Sequence, residues 1–165
     1  MPSPHPWLIF GVLLGTAALV IFVSGQSLPE VMASHFAGSG QANGQMPRNA
    51  YLALMIGVAT GLPLAITALQ SLVLGSGVRI NLPNGAYWLA PQRKAATLAF
   101  LRNQSMCFGV MLAAFACFVH LCVVDAHKVV PPQLSSSAFL PGLAFFALAS
   151  VIWAIAFFVR FRRPD

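Results

Sequence analysis

Five side chains able to ligate a metal or move a proton stand out: Glu30, His35, His120, Asp125 and His127. The whole chain has only 3 acidic residues and 4 histidines. Imidazole and carboxylate together suit zinc or a similar divalent ion. A metal reading takes His35, His120, Asp125 and His127 as ligands. A ligand-binding reading takes Glu30, His35, Phe36 and Asn43, which share one polar stretch. No two of these residues have a metal-site spacing such as HxxxH or HExxH. The structural alternative makes His120 a neutral imidazole bonded across helices, His127 a solvated loop residue and His35 a pin for its own loop.

Enzyme chemistry finds less. No serine has a His and Asp partnership in sequence, and no close pair of acids offers general acid and base work. Gly75-Ser76-Gly77 lacks the Lys-Ser or Lys-Thr of a phosphate-cradling loop. The expectation is a protein that is not an enzyme and carries no cofactor, with a divalent metal as the alternative.

The elements that must position these residues are membrane helices. The chain has 165 residues, 58% hydrophobic and 7% charged, with a mean hydropathy of +0.80. Soluble domains carry roughly a quarter charged residues. The apolar residues fall in four runs, about 7–23, 51–74, 106–124 and 139–159, each near the ~17–25 residues that cross a hydrocarbon core. They lack the period-two alternation of a barrel strand. The expected fold is an all-α membrane protein with four transmembrane helices in a single domain, 1–165. The first run has no Lys or Arg before it and is long for a signal peptide, so an uncleaved anchor is expected.

Within the runs, Gly11 and Gly15, and Gly57 and Gly61, form GxxxG pairs that could bring two helices close, within one chain or between two. Pro63 predicts a kink near Gly61-Leu62-Pro63. Thr60, Thr67 and Gln70 read as structural. Cys107, Cys117 and Cys122 sit in one apolar run without a CxxC pair and read as small hydrophobes.

Basic residues set the orientation. The segment 75–105 holds Arg79, Arg93, Lys94 and Arg102, and the C-terminal tail Arg160, Arg162 and Arg163. Arg48 and Lys128 are alone in the other two connections. The positive-inside rule then predicts N-in and C-in, with 24–50 as an outer loop. His120 lies 14 residues after Met106, about 21 Å at 1.5 Å per residue, towards the outer end. Pro91 starts a short basic helix over 92–103, expected on the cytoplasmic surface or leading into span three. Its cations, Arg79, Arg93, Lys94 and Arg102, suit anionic lipid headgroups. Tyr87 and Trp88 read as an aromatic belt. The net charge of +6 does not indicate nucleic acid, since no basic patch is interleaved with aromatics on a soluble module.

The polar stretch carries a pattern: Leu28-Pro29, Ser34-His35-Phe36, Gly40, Asn43-Gly44 and Arg48. It resembles the signature of the SdpI-type bacterial membrane proteins, between their first and second spans. That family is named through an immunity protein against a secreted toxin. Asn81-Leu82-Pro83-Asn84 with Tyr87-Trp88-Leu89 and Arg93 is similar to a segment after span two in some members. The chain departs from the signature at Asn43 and Gln45. The resemblance implies a small multi-pass protein of the bacterial inner membrane and supplies no catalytic residues. Pro29 stops the first span, 32–36 can extend, and Gly38, Gly40 and Asn43-Gly44 supply turn positions. A compact loop or small hairpin is expected. The functional expectation is an immunity, sensor or accessory factor acting through this loop, with a homo-oligomer or another membrane protein as partner. The alternatives are a subunit of an oligomeric transporter and a metal-dependent membrane enzyme.

Overall fold

The computed structural model describes residues 6–76 and 80–162. Four helical segments are long and apolar enough to cross a membrane: α1 (Pro6–Gly25), the pair α2 (Arg48–Ile56) and α3 (Leu62–Gly75), then α5 (Pro91–Ala126) and α6 (Ser136–Arg162). A four-residue helix, α4 (Gly85–Trp88), lies before α5. At most 28% of any apolar window is covered by protein, and none of it in α6. Leu8, Leu19, Leu69, Leu72, Phe145 and Leu148 all stand exposed. Water would not tolerate this surface, whereas a bilayer requires it. The chain has the architecture of a multi-pass integral membrane protein.

α5 is the central helix, packed against α1, α3 and α6. Its buried stripe passes through Leu101, Met106, Gly109, Ala113, Ala116, His120 and Val123, at helical spacing. The middle of the stripe is small, so neighbours come close. A Cβ on Gly109 would lie 3.1 Å from both Phe10 and Pro63. α1 answers with Phe10, Leu14, Ala17 and Ile21. The GxxxG pairs are not used in this packing: Gly11, Gly15, Gly57 and Gly61 meet nothing within 4 Å. The larger side chains fix the rotation of α1 and turn its glycines outwards.

Of the two placements expected for 92–103, the segment leads directly into the third span and is not a separate short interfacial helix. Residues 92–103 are the first turns of the 36-residue α5. Pro91 occupies the first turn, and no proline or glycine follows before Gly109. A change from polar to apolar side chains does not interrupt the backbone. Pro63, which cannot donate a backbone hydrogen bond, is preceded by a π turn over Gly57–Gly61, where Leu62 N donates to Gly57 O. Thr60 returns its hydroxyl to Ile56 O at 2.7 Å. Ser105 donates to the Gln70 side chain across the α3–α5 contact.

The stretch between α1 and α2 is a hairpin, as expected. β1 (Val31–Phe36) runs antiparallel to β2 (Ala42–Pro47), pairing Met32 with Met46 and His35 with Gly44. The turn is at Ala37–Gln41, where Gly40 takes φ +84°. Asn43-Gly44 is not the turn. It lies within β2, with Gly44 under His35, where a Cβ would come 3.1 Å from the ring.

At the opposite end, Asn84 adopts φ 54° ahead of α4. Its side-chain amide donates to Phe161 O and Arg162 O at 3.0 and 3.1 Å, closing the C-terminus of α6. Trp88 is buried rather than lying in an open belt, and its indole donates to Phe161 O at 3.3 Å.

Candidate functional site at the hairpin end

The hairpin is fastened to the bundle by polar side chains. The last carbonyls of α1 are met by the turn that follows it: Gln26, Ser27 and Leu28 N donate to Val23, Ser24 and Gly25 O. Arg48, at the start of α2, holds that turn: Nη1 donates to Leu28 O at 2.9 Å and to Gln26 O at 3.4 Å. A cation is favoured at a helix C-terminus. Arg48 N also donates to Glu30 O at 2.8 Å, which closes the base of the hairpin. Gly25 accommodates Leu52 against its backbone, so α1 and α2 meet closely here.

His127, just past α5, holds the inner strand. Ala33 N donates to its Nε2 at 3.0 Å, and its Nδ1 lies 2.8 Å from Val123 O. The backbone N–H must donate, so Nε2 is the acceptor and Nδ1 carries the proton. The ring is therefore neutral. At the tip, Leu134 N donates to Gly40 O at 2.8 Å, and Gln41 bridges to Gln133. The connection between α5 and α6 thus closes over the turn of the hairpin.

His120 is fully buried. Its Nε2 lies 2.9 Å from Ser24 Oγ and its Nδ1 3.2 Å from Tyr51 OH. Ser24 gives its single hydroxyl proton to Val20 O at 2.6 Å. It must therefore accept from Nε2–H, which leaves Nδ1 to accept from Tyr51. The rings of Tyr51 and His120 stack at 5.6 Å. One neutral imidazole thus ties α1, α2 and α5 together, with both nitrogens satisfied. This matches the structural alternative for His120.

The candidate ligand residues have separate fates. Glu30, His35 and Asn43 are exposed. His35 Nδ1 lies 3.0 Å from Ser34 Oγ, in its own strand. Phe36 turns the other way: it packs on the core cluster and lines a cavity of 320 Å³ with Ser34, Gly40, Val123, Leu134 and Phe139. Asp125 pairs with Lys128 at 2.9 Å.

The proposed metal set is not assembled. Among the described residues, no three His, Cys, Asp or Glu side chains come together in a way that could hold an ion. His120 and His127 are separated by about 10 Å of helix at 1.5 Å per residue. Each has both ring nitrogens engaged, His35 is exposed, and Asp125 is paired.

Sequence reasoning missed Ser24 and Tyr51 as partners of His120, and Arg48 as a clamp. One signal was available. A histidine in an apolar run must find hydrogen-bond partners, and Ser24 and Tyr51 are hydroxyls flanking the same loop. Of the cations expected at lipid headgroups, Arg93 lies over Tyr87 at 4.0 Å, while Arg79 lies outside the described residues; separately, Arg160 lies over Phe100 at 4.3 Å. Comparison of the chain with protein-family models, with curated proteins and with solved structures gives no match.

Proposed function

We propose that this is a recognition protein of the bacterial inner membrane, of the immunity or sensor type, with both termini cytoplasmic and the hairpin on the outer face. One observation carries the reading: the hairpin is fixed yet open. Arg48, His127 and the Gly40–Leu134 contact hold it, while Glu30, His35 and Asn43 remain exposed along it and Phe36, near its tip, lines a cavity. A prefixed surface loses little freedom on binding. A partner with an apolar anchor and a polar flank, such as an amphipathic secreted peptide, fits an apolar cavity with an exposed polar strand beside it. A binding role is favoured over catalysis because the two histidines of α5 and its end have no free ring nitrogen. The metal-enzyme reading loses its ligand set. The resemblance of the hairpin to the SdpI-type signature supports the same role.

Sidedness is tested by labelling. With Cys107, Cys117 and Cys122 replaced, Asn43→Cys should react with an impermeant maleimide in intact cells. Lys94→Cys should react only after permeabilisation; the reverse pattern refutes the orientation. Recognition is tested by expressing the protein in a sensitive strain challenged with secreted antimicrobial peptides. Protection should be lost in Phe36→Ala and weakened in Glu30→Ala and His35→Ala. If no peptide distinguishes cells with and without the protein, the immunity reading fails.

A further inference from the structure

Two cavities, of 290 and 190 Å³, follow one another along the seam between α5 and α6 and share Phe118. The deeper is walled by Phe115, Phe118, Phe145 and Phe146; the shallower reaches Asp125 and Ser135. On α5 the lining positions run from 111 through 114, 115, 118, 121 and 122 to 125. That spacing is one face of a helix. On α6, positions 138, 142, 145, 146 and 149 do the same. The two cavities are therefore one groove. It extends from Met111 to Asp125, 14 residues or about 21 Å along α5. Half of a hydrocarbon core is roughly 15 Å, so the groove spans one leaflet and ends at headgroup depth. It shares no lining residue with the cavity beneath Phe36.

Chemistry changes along its length. The deep part is lined by residues with apolar side chains or none. The mouth carries an anion and a cation side by side: Asp125 and Lys128 pair at 2.9 Å, with their side chains 62% and 71% exposed. Such an exposed pair contributes little to stability and is readily exchanged for other partners. A headgroup with one ammonium and one phosphate complements it, ammonium on Asp125 and phosphate on Lys128. An anionic headgroup would place its charge against Asp125 with no cation of its own to offer. A quaternary ammonium would meet Asp125 without a hydrogen to donate.

We propose that the α5–α6 groove binds a phospholipid with a primary-ammonium headgroup of the ethanolamine type. One acyl chain lies along the phenylalanine wall, and the headgroup docks on the Asp125–Lys128 pair. This site is independent of the recognition function and of which side the hairpin faces.

The test uses the full-length protein, delipidated in mild detergent and offered phosphatidylethanolamine, phosphatidylcholine and phosphatidylglycerol with identical chains. Retained lipid is read by native mass spectrometry. Ethanolamine lipid should be retained roughly tenfold over the other two, the size of one charge-assisted hydrogen bond. Asp125→Asn should erase the preference for ethanolamine over choline while retention persists. Lys128→Met should lower retention of both. Ala114→Trp, which fills the groove from the exposed face of α5, should abolish retention of all three. Equal retention of the three lipids, preference for the glycerol headgroup, or a preference unchanged in Asp125→Asn would each overturn the proposal. Retention unaffected by Ala114→Trp would mean unspecific annular lipid only.

Discussion

The two ends of the bundle solve one problem with different chemistry. Each must satisfy backbone carbonyls at or just past a helix C-terminus, and each uses a donor far away in sequence. At the hairpin end Arg48 reaches Gln26 O and Leu28 O beyond α1. At the basic end Asn84 and Trp88 reach Phe161 O and Arg162 O in α6. The surroundings then diverge. The hairpin end is tied by two neutral histidines in opposite tautomers, Nε2–H in His120 and Nδ1–H in His127. The basic end lays cations on aromatic rings, Arg93 on Tyr87 and Arg160 on Phe100. Directional hydrogen bonds fix a shape, whereas cation–π contacts tolerate sliding. The first fits the recognition surface proposed for the hairpin, the second the contact with headgroups proposed for the basic end.

The largest effect is expected at His120. His120→Ala should destabilise the protein by about 2–4 kcal/mol, combining a cavity with the stranded hydroxyl of Tyr51. Thermal unfolding in detergent measures it. Ser24→Ala leaves Nε2–H of His120 without its acceptor but removes far fewer buried atoms, so it should cost less than His120→Ala. Equal stability of wild type and His120→Ala would show that the network does not hold the three helices. Arg48→Met comes next, at about 1.5–3 kcal/mol for hydrogen bonds from a charged group. Arg48→Lys should recover part of it, since an ammonium can donate to these carbonyls but its stem does not carry it to the position of Nη1, which makes both bonds.

These two residues also show what the sequence could and could not disclose. Four apolar runs of span length have only one helical solution in lipid, so the spans were legible to within a few residues at most ends. The hairpin was legible through Pro29 and Gly40, whose conformational demands are local. Arg48 was readable as a charge that helps set orientation, but not as a clamp. Its partners, Gln26 and Leu28, expose only backbone carbonyls, and every residue has one. The outward rotation of Gly11 and Gly15 was hidden for a similar reason. Glycine spacing shows where two helices could approach, while Phe10, Leu14 and Ile21 decide which face does. The extent of α5 is ambiguous in the sequence because polarity changes near Asn103 while the backbone continues.

Gly40 and Asn84 sharpen the contrast at intermediate size. Both hold positive φ. Gly40→Val meets a conformational cost of about 1–2 kcal/mol and drives a side chain into Leu134 O. It should open the hairpin tip, seen as faster proteolysis near residues 37–41. Asn84→Ala should cost about 1 kcal/mol, as for lost caps, and loosen the end of α6 without changing the hairpin. A change in hairpin proteolysis in Asn84→Ala would mean that the two ends are coupled.

The smallest effect is expected at His127, and it is the most informative locally. His127→Ala removes one hydrogen bond acceptor at a half-buried position, worth about 0.5–1.5 kcal/mol. Arg48 and the Gly40–Leu134 bond still hold the hairpin, so global unfolding should shift little. The Ala33 amide, however, loses its acceptor. Its hydrogen exchange should accelerate by roughly tenfold, while the amides paired between β1 and β2 keep their protection. His127→Asn tests the geometry, because its shorter side chain carries an acceptor oxygen that does not extend as far as Nε2. If exchange at Ala33 is unchanged in both variants, the strand is held by its apolar face, Met32 and Phe36 against the core, and the imidazole only follows it.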